Sequence, residues 1–217
     1  MLTVQGLQLL KNNDVEQRED RERLTLTLRS GEKLQSDLLI VGKGVQPNTQ
    51  LAVEAGLECN DGVCIDRFCC SSHPDIYAAG DVAEGADYVS GEATIQGNWM
   101  TAVEQGENAA LNMLGLQVAY AGSLKSNITE IFGVDVAAVG YCSDDAPATA
   151  SSYHAMSGRF RKVFLDERQR VIGATMIGET NDSGLYYQLV KTRSLFPGPL
   201  LLAGTANYAQ TQLRLAS

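Results

Sequence analysis

The residue pair most able to do chemistry is Gly80-Asp81, which ends the segment Ser-Ser-His-Pro-Asp-Ile-Tyr-Ala-Ala-Gly-Asp over residues 71–81. The segment over residues 76–79 is short and apolar, so we predict a buried strand that ends at this pair. Open α/β sheets bind ligands beyond the carboxyl ends of their strands. There a glycine lets a ligand approach the backbone, and an aspartate accepts hydrogen bonds from sugar-like hydroxyls. From the residues alone, a turn or helix-cap role for Asp81 is the favoured alternative.

A second candidate feature is a helix over residues 98–114, where apolar side chains recur at helical spacing. Gly115 stands where a left-handed residue commonly ends a helix. The N-terminus of a helix has free N–H groups and a positive dipole end, and both favour negative charge. The positions that show this helical spacing are Trp99, Ala102, Val103, Gly106, Ala110 and Met113.

The segments before this helix predict a mixture of strands and helices. Residues 22–29 alternate leucine with threonine, which is the period-two pattern of a half-buried strand. Residues 37–41 are largely apolar, as in a central strand. The other predicted elements are a helix over residues 49–55, a short strand over residues 63–67 and a loop over residues 84–97.

A new structural unit is predicted from about Val118. We expect a strand over residues 134–141, and a hairpin in which residues 160–165 pair with residues 171–177. Asn181-Asp182 can cap a following helix. The apolar face of that helix carries Leu185, Leu189 and Val190.

The charges are unevenly distributed along the chain, whose net charge is −9 at pH 7. Residues 47–117 carry eleven acidic residues and one basic residue, Arg67. Without a clustered basic face, nucleic-acid binding is not expected. No apolar run approaches the roughly 18 residues of a membrane span, and the charged start does not match a signal peptide. We therefore expect no membrane association and a cytoplasmic location.

The cysteines do not indicate a metal site or a redox pair. Their spacing lacks the two short pairs of a tetrahedral zinc site and the Cys-x-x-Cys pattern of a redox motif. An odd number of cysteines without a secretory signal favours reduced thiols. The five cysteines are Cys59, Cys64, Cys69, Cys70 and Cys142.

Residues 71–81 resemble the second flavin-contacting motif of the FAD-dependent pyridine nucleotide-disulfide oxidoreductase family, a strand ending in Tyr-Ala-x-Gly-Asp. Two further segments occur in the family's order. Residues 39–48 are similar to the junction where the chain returns from the NAD-binding to the FAD-binding domain. Residues 98–106 are similar to a helix whose N-terminus points at the flavin ring. The resemblance covers essentially the whole chain and is strongest to the branch of the nitrite reductase large subunit and NADH:rubredoxin reductases.

The resemblance implies binding roles for five residues and no catalytic side chain. Asp81 would bind the ribityl chain of FAD, and the flanking backbone at Gly80 would reach the pyrophosphate. The N–H groups around Thr101 and Ala102 would stabilise negative charge at N1 and O2 of the reduced flavin. Trp99 would lie beside the ring, with a plain core position as the alternative.

The resemblance also implies an α+β or α/β fold class, with a C-terminal remnant of an FAD/NAD(P)-binding domain before a small antiparallel-sheet interface domain. Residues 1–46 would end the NAD(P)-binding domain, and residues 47–117 would be the C-terminal part of the FAD-binding domain. Residues 118–217 would be the interface domain, through which the protein would form a homodimer.

The function implied for the parent protein is electron transfer from NAD(P)H through FAD to an acceptor, which could be a partner protein. Neither of the family's two Gly-x-Gly-x-x-Gly phosphate-binding turns occurs here, since Gly42-Lys43-Gly44 is followed by Val45. We therefore expect an expressed fragment that is inactive by itself. The alternative is a non-catalytic dimerisation module that binds no flavin on its own.

Overall fold

The computed structural model describes residues 6–20 and 23–203, without the side chain of Leu200. The chain divides into two units, residues 1–45 and residues 46–217. The division into NAD(P)-binding, FAD-binding and interface domains stays a prediction, because the second unit contains both of the last two. Among the described residues, no helix is both long and apolar enough to cross a membrane.

A strand of alternating leucine and threonine is the centre of the first unit. β1 (Val15–Asp20), β2 (Leu24–Leu28) and β3 (Lys33–Ser36) form an antiparallel sheet in that order. Leu26 and Leu28 are buried, whereas the threonines beside them are less buried. The half-buried strand predicted for this segment is therefore confirmed.

Residues 37–41 do not form the predicted central strand. They have no regular secondary structure, and Leu38, Ile40 and Val41 are exposed. A continuous apolar strand is stable only when sheet neighbours and packed layers cover both of its faces. No strand in the described part of the chain pairs with this segment, so its apolar pattern alone does not place it in a sheet.

The second unit begins with a short helix and a small sheet. The predicted helix is confirmed as α1 (Gln50–Glu54). β4 (Val63–Cys64) pairs in parallel with β5 (Ala83–Ala86), and β5 pairs antiparallel with β6 (Ala93–Ile95). The last strand of this sheet is followed in the chain by the longest helix of the described residues, α2 (Trp99–Met113).

Two predictions for this region need correction. Residues 84–97 were expected to be a loop, but they contain most of β5 and all of β6. The strand expected over residues 63–67 is shorter than predicted, because β4 has only two residues. Strands pair through backbone groups, which glycine and polar residues supply as well as apolar ones. A composition rich in glycine and polar residues therefore hides a strand from sequence patterns.

The helix predicted over residues 98–114 is confirmed as α2, but the apolar residues that recur at helical spacing do not form its buried face. Trp99 is 84% exposed, and Val103 and Met113 are exposed too. The buried residues are mostly polar: Thr101, Gln105, Asn108, Ala109 and Asn112. The reason is that this face meets loop backbone that requires hydrogen-bond partners, and not an apolar layer.

The rest of the second unit, as far as residue 203, contains a five-stranded antiparallel sheet and one α-helix. The strand order is β7-β8-β11-β10-β9. The strand predicted near residues 134–141 and the hairpin predicted between residues 160–165 and 171–177 are confirmed. The bounds are β7 (Ser126–Ile131), β8 (Val134–Gly140), β9 (Ala148–His154), β10 (Arg159–Leu165), β11 (Val171–Ile177) and α3 (Ser183–Lys191), followed by a 3₁₀ turn, Pro199–Ala203.

The main apolar core lies between this sheet and α3. Val139, Val163 and Met176 from three neighbouring strands are fully buried in it. The predicted apolar face of α3 is confirmed, because Leu189 and Val190 belong to the same core. Residues from the sheet and the helix thus bury one continuous apolar surface.

A buried ion pair connects β10 to the start of α3. Nη2 of Arg161 lies 2.9 Å from Oδ1 of Asp182, and both side chains are more than nine-tenths buried. Asp182 occupies the N-cap position of α3, as predicted, but its side chain makes no capping hydrogen bond. The carboxylate binds the arginine instead, so the pair fixes where α3 begins on the sheet.

We expect Arg161→Met to lower the free energy of unfolding by about 3 kcal/mol, because Asp182 would keep a buried charge without its partner. Adding the neutral Asp182→Asn change should recover part of this loss. Urea unfolding of the full chain, followed by circular dichroism, measures both effects. Equal stability of Arg161→Met and wild type would contradict the prediction.

Candidate functional site

The prediction of a strand over residues 76–79 is wrong. Tyr77 makes a single bridge to Cys70, and no regular strand forms there. A 3₁₀ turn, Gly80–Val82, follows, and β5 begins directly after it. A strand needs a continuous neighbour to satisfy its backbone groups. That neighbour exists only after the Gly-Asp pair, where β5 meets β4 and β6.

Gly80 lies directly beside α2. Its φ is +77°, in the left-handed region that glycine adopts without side-chain strain. Its N–H donates to Oε1 of Gln105 at 2.8 Å in a buried environment. A Cβ added to Gly80 would lie 3.4 Å from Cβ of Ala102. The backbone therefore passes close to the helix at this point.

Asp81 presents a carboxylate that makes no hydrogen bond or ion pair in the described part of the chain. Its side chain is exposed. It lies beside Gly97, where an added Cβ would be 3.5 Å from Cγ of Asp81. Asp81 is part of the 3₁₀ turn, but its side chain caps no described helix. The carboxylate is therefore available to accept hydrogen bonds from a ligand.

Asn98 caps α2 and accepts hydrogen bonds from two N–H groups of its first turn. Its Oδ1 accepts the N–H of Thr101 at 2.9 Å, and its carbonyl accepts the N–H of Ala102 at 3.1 Å. The N–H groups of Trp99 and Met100 have no partner within the described ranges. The free donors of the helix are thus its first two N–H groups, earlier than the pair predicted from sequence.

The five predicted site residues lie on two adjoining segments. Gly80 and Asp81 form the turn, and Trp99, Thr101 and Ala102 belong to the first turn of α2. Direct proximity is shown for Gly80 and Ala102. Trp99 is largely exposed and is not part of the described core. The binding roles of all five residues stay predictions.

Sequence reasoning missed Gln105, which is 2% exposed and holds the N–H of Gly80. The sequence does contain a pattern that includes Gln105, because polar residues recur along the helix at helical spacing, as the apolar residues do. However, a polar stripe on a helix is normally its solvent face, so the pattern points to the wrong side. The stripe consists of Thr101, Gln105, Asn108 and Asn112.

The remaining amides of this polar face bind two loops. Nδ2 of Asn108 donates to the carbonyl of Val118 at 2.9 Å, and Oδ1 of Asn112 accepts the N–H of Val118 at 2.7 Å. Nδ2 of Asn112 also donates to the carbonyl of Phe68 at 3.0 Å. The helix is therefore hydrogen-bonded both to the loop that precedes it in the chain, at Phe68, and to the loop that follows it, at Val118.

Glu104 accepts hydrogen bonds from three donors of the following region. The hydroxyls of Tyr120 and Tyr187 each donate to it at 3.0 Å, and Nζ of Lys191 donates at 3.2 Å. Burial raises the pKa of both tyrosines, and the negative charge of Glu104 raises the pKa values further. The cluster connects α2 to α3.

The cysteines and other potential ligands do not assemble into a metal centre in the described residues. All five cysteines are free, and no three metal-binding side chains of the described chain come together. Cys69 is fully buried, and burial raises the pKa of its thiol to about 11. The thiolate is the reactive form of cysteine, so Cys69 is unreactive near neutral pH.

Comparison with known sequences finds one family and a longer relative. Residues 1–106 match the family model described as pyridine nucleotide-disulphide oxidoreductase. The chain is 32% identical over 171 residues to the assimilatory nitrate reductase electron transfer subunit of Bacillus subtilis. This match covers 77% of the chain and 21% of the relative.

Two solved structures share the fold. The NAD-dependent persulfide reductase from A. fulgidus matches with a TM-score of 0.78 at 21% identity, over 89% of this chain and 40% of that chain. An FAD-dependent pyridine nucleotide-disulphide oxidoreductase from Desulfovibrio vulgaris matches with a TM-score of 0.67 at 22% identity, over 82% and 48%. The predicted mixed α/β fold is confirmed. The chain spans less than half the length of each of these three relatives.

The tyrosines around Glu104 predict a loss of stability at alkaline pH. Unfolded tyrosine ionises near pH 10, whereas the raised pKa values of Tyr120 and Tyr187 keep both protonated at higher pH in the folded chain. Their contribution is therefore complete below about pH 10 and is lost as pH rises through the folded pKa values. Tyr187→Phe should reduce the slope of the free energy of unfolding against pH by at most about 1.4 kcal/mol per pH unit. Urea unfolding between about pH 9 and about pH 11 measures the slope.

The exposed Tyr153 provides the control for this experiment. Tyr153→Phe also removes one tyrosine hydroxyl, but one that makes no described hydrogen bond to Glu104, so a change of slope confined to Tyr187→Phe belongs to the Glu104 cluster. A slope that is the same in Tyr187→Phe and wild type would show that the Glu104 cluster does not hold the tyrosine proton.

Gly80→Ala and Gly91→Ala are a matched pair for the backbone conformation. Both glycines have a φ of +77°, but an added Cβ meets Ala102 at Gly80 and open space at Gly91. A contact of 3.4 Å is ordinary van der Waals distance, so we expect both variants to lose about 1–2 kcal/mol, from the left-handed φ. Urea unfolding gives both values. A loss of more than about 4 kcal/mol at Gly80 alone would show that the turn is packed more tightly than this contact indicates.

Proposed function

We propose a function from one premise: residues 1–106 match the model of the pyridine nucleotide-disulphide oxidoreductase family. The chain is part of a flavoprotein oxidoreductase that passes electrons from NAD(P)H through FAD to an acceptor. The observation that carries the proposal is the position of the free Asp81 carboxylate in a turn that lies against the N-terminal half of α2.

The residues of this turn suit the middle of an FAD molecule. The missing side chain of Gly80 lets the backbone of the turn lie directly against Ala102. The exposed carboxylate of Asp81 is an acceptor for the hydroxyl groups of a ribityl chain. Gly97 adds no side chain next to that carboxylate, so a ligand can reach it.

The start of α2 suits the electron-rich edge of the flavin ring. The unpaired N–H groups of Trp99 and Met100 donate toward negative charge, and the positive end of the helix dipole favours it. Thr101 and Ala102 hold these donors in place through their bonds to Asn98. The exposed Trp99 side chain is available to lie beside the ring. FAD, when bound, supplies the acceptance and release of electrons.

The acceptor is a protein or redox centre of the nitrite reductase or rubredoxin reductase type. The relative from Bacillus subtilis is named as an electron transfer subunit of assimilatory nitrate reductase, which supports transfer to another protein component. The five free cysteines suit a reducing compartment such as the cytoplasm.

Residues 118–217 form the homodimer contact in this proposal. The edge strand β7 carries Ile128 and Ile131 exposed, and Phe132 follows it in the turn to β8. An exposed apolar edge of this kind favours pairing with another chain.

A second candidate function is a dimerisation module that binds no flavin on its own. The observation that favours it is the lack of a Gly-x-Gly-x-x-Gly turn in this sequence, because that turn holds the pyrophosphate in dinucleotide sites. The two candidates differ in whether the purified chain retains flavin.

The test is a titration of the full chain with FAD, followed by the visible absorption band and gel filtration. Asp81→Ala should weaken binding by at least about tenfold, because a hydrogen bond to a charged group contributes about 1.5–3 kcal/mol. Asp75→Ala is the matched control, since Asp75 is also an exposed aspartate of the same segment. No flavin retained by wild type, together with a dimeric elution volume, would favour the dimerisation module.

A further inference from the structure

We infer that Gln105 is a positioning residue, which holds the Gly80-Asp81 turn in the conformation that presents the Asp81 carboxylate to a bound cofactor. The inference rests on the proposed function for its consequence in binding. Its structural part, the control of the turn by one amide side chain, stands on contacts within the second unit alone.

One end of the amide holds the turn. Oε1 of Gln105 accepts the N–H of Gly80 at 2.8 Å, and the next residue along the chain is Asp81. Gln105 is 2% exposed, so water cannot replace the lost acceptor at that place without a rearrangement. The turn therefore depends on this bond for both its position and the satisfaction of a buried donor.

The other end of the amide is held by a buried serine. Nε2 of Gln105 donates to Oγ of Ser123 at 3.2 Å, and Ser123 is itself 2% exposed. Oγ of Ser123 also lies 3.2 Å from the Tyr120 hydroxyl, and the backbone N–H of Ser123 donates to the carbonyl of Ala86 at 2.9 Å. With both ends occupied, the amide has a single defined orientation.

This arrangement separates Gln105 from its neighbours on the polar face. Asn108 and Asn112 bind backbone groups of Val118 and Phe68, and none of their described hydrogen bonds reaches Gly80 or Asp81. Gln105 is the residue of that face whose side chain bonds to the predicted cofactor motif. A change at Gln105 should therefore alter the turn, while changes at the asparagines alter the loops.

The test compares three variants of the full chain. Gln105→Leu removes both bonds and keeps a buried side chain of similar size. Gln105→Glu serves as the conservative rescue, because burial favours the neutral carboxyl, which keeps an acceptor for the N–H of Gly80 and a donor for Oγ of Ser123. Gln188→Leu is the matched control, because Gln188 is an exposed glutamine on α3. Ser123→Ala, which removes the anchor of Nε2 and the contact with the Tyr120 hydroxyl but leaves the bond from Gly80 to Oε1, is used if Gln105→Leu does not fold.

The first readout is hydrogen exchange at the Gly80 amide. Gln105→Leu should raise its exchange rate by at least about tenfold over wild type, while Gln105→Glu and Gln188→Leu stay within about threefold. Ser123→Ala should raise the rate by more than about threefold. A wild-type rate in Gln105→Leu, or in Ser123→Ala where that variant is used, would overturn the inference.

The second readout is the visible absorption band of FAD at saturating concentration. A general loss of stability changes how much flavin binds, whereas misplacement of Asp81 moves the band of the bound flavin toward that of free FAD. We expect this movement in Gln105→Leu and its reversal in Gln105→Glu. If wild type binds no FAD, the proposed function fails, and exchange at Gly80 alone decides the role of Gln105.

Discussion

Buried amides on one face of α2 are the constraint on which the second unit depends. Gln105, Asn108 and Asn112 are each more than nine-tenths buried, and a buried polar group left without a partner costs about 1–3 kcal/mol. Their partners are mainly backbone groups of loops, among them the N–H of Gly80 and both backbone groups of Val118. The loops are therefore fixed by directional bonds to the helix, and the candidate site lies where one of these bonds ends.

The same bonds explain why apolar residues of α2 lie on its exposed side. Burying an apolar side chain contributes about 1.5–3 kcal/mol, so exposing Trp99, Val103 and Met113 costs about as much as stranding three amides. The helix side chains alone do not decide between the two orientations. The loops decide, because turning α2 would also leave the backbone groups of Gly80 and Val118 without partners. The hydrogen-bond requirement of the loops outweighs the ordinary amphipathic rule here.

Local signals in the sequence predicted the elements whose stability is local. The alternating residues of β2, the hairpin of β10 and β11, and the extent of α2 follow from short-range patterns. Residues 37–41 and 76–79 carry strand-like patterns without continuous neighbours, and pairing with a distant segment cannot be read from a short apolar run. The Gly80-Asp81 pair was predicted as a cofactor site through its resemblance to a family motif, since its residue types alone favoured a turn or a cap. Gln105 was not predicted, because its role depends on a contact 25 residues away in sequence.

Two adjacent residues of α2 form hydrogen bonds with two different parts of the second unit. Gln105 binds the Gly80 turn, while Glu104 binds Tyr187 and Lys191 of α3. Successive residues of a helix point about 100° apart, so neighbouring positions can serve two different surfaces. The region predicted as an interface domain therefore contacts the helix of the candidate site through Tyr187 and Lys191, and the described contacts place none of its side chains on Gly80 or Asp81.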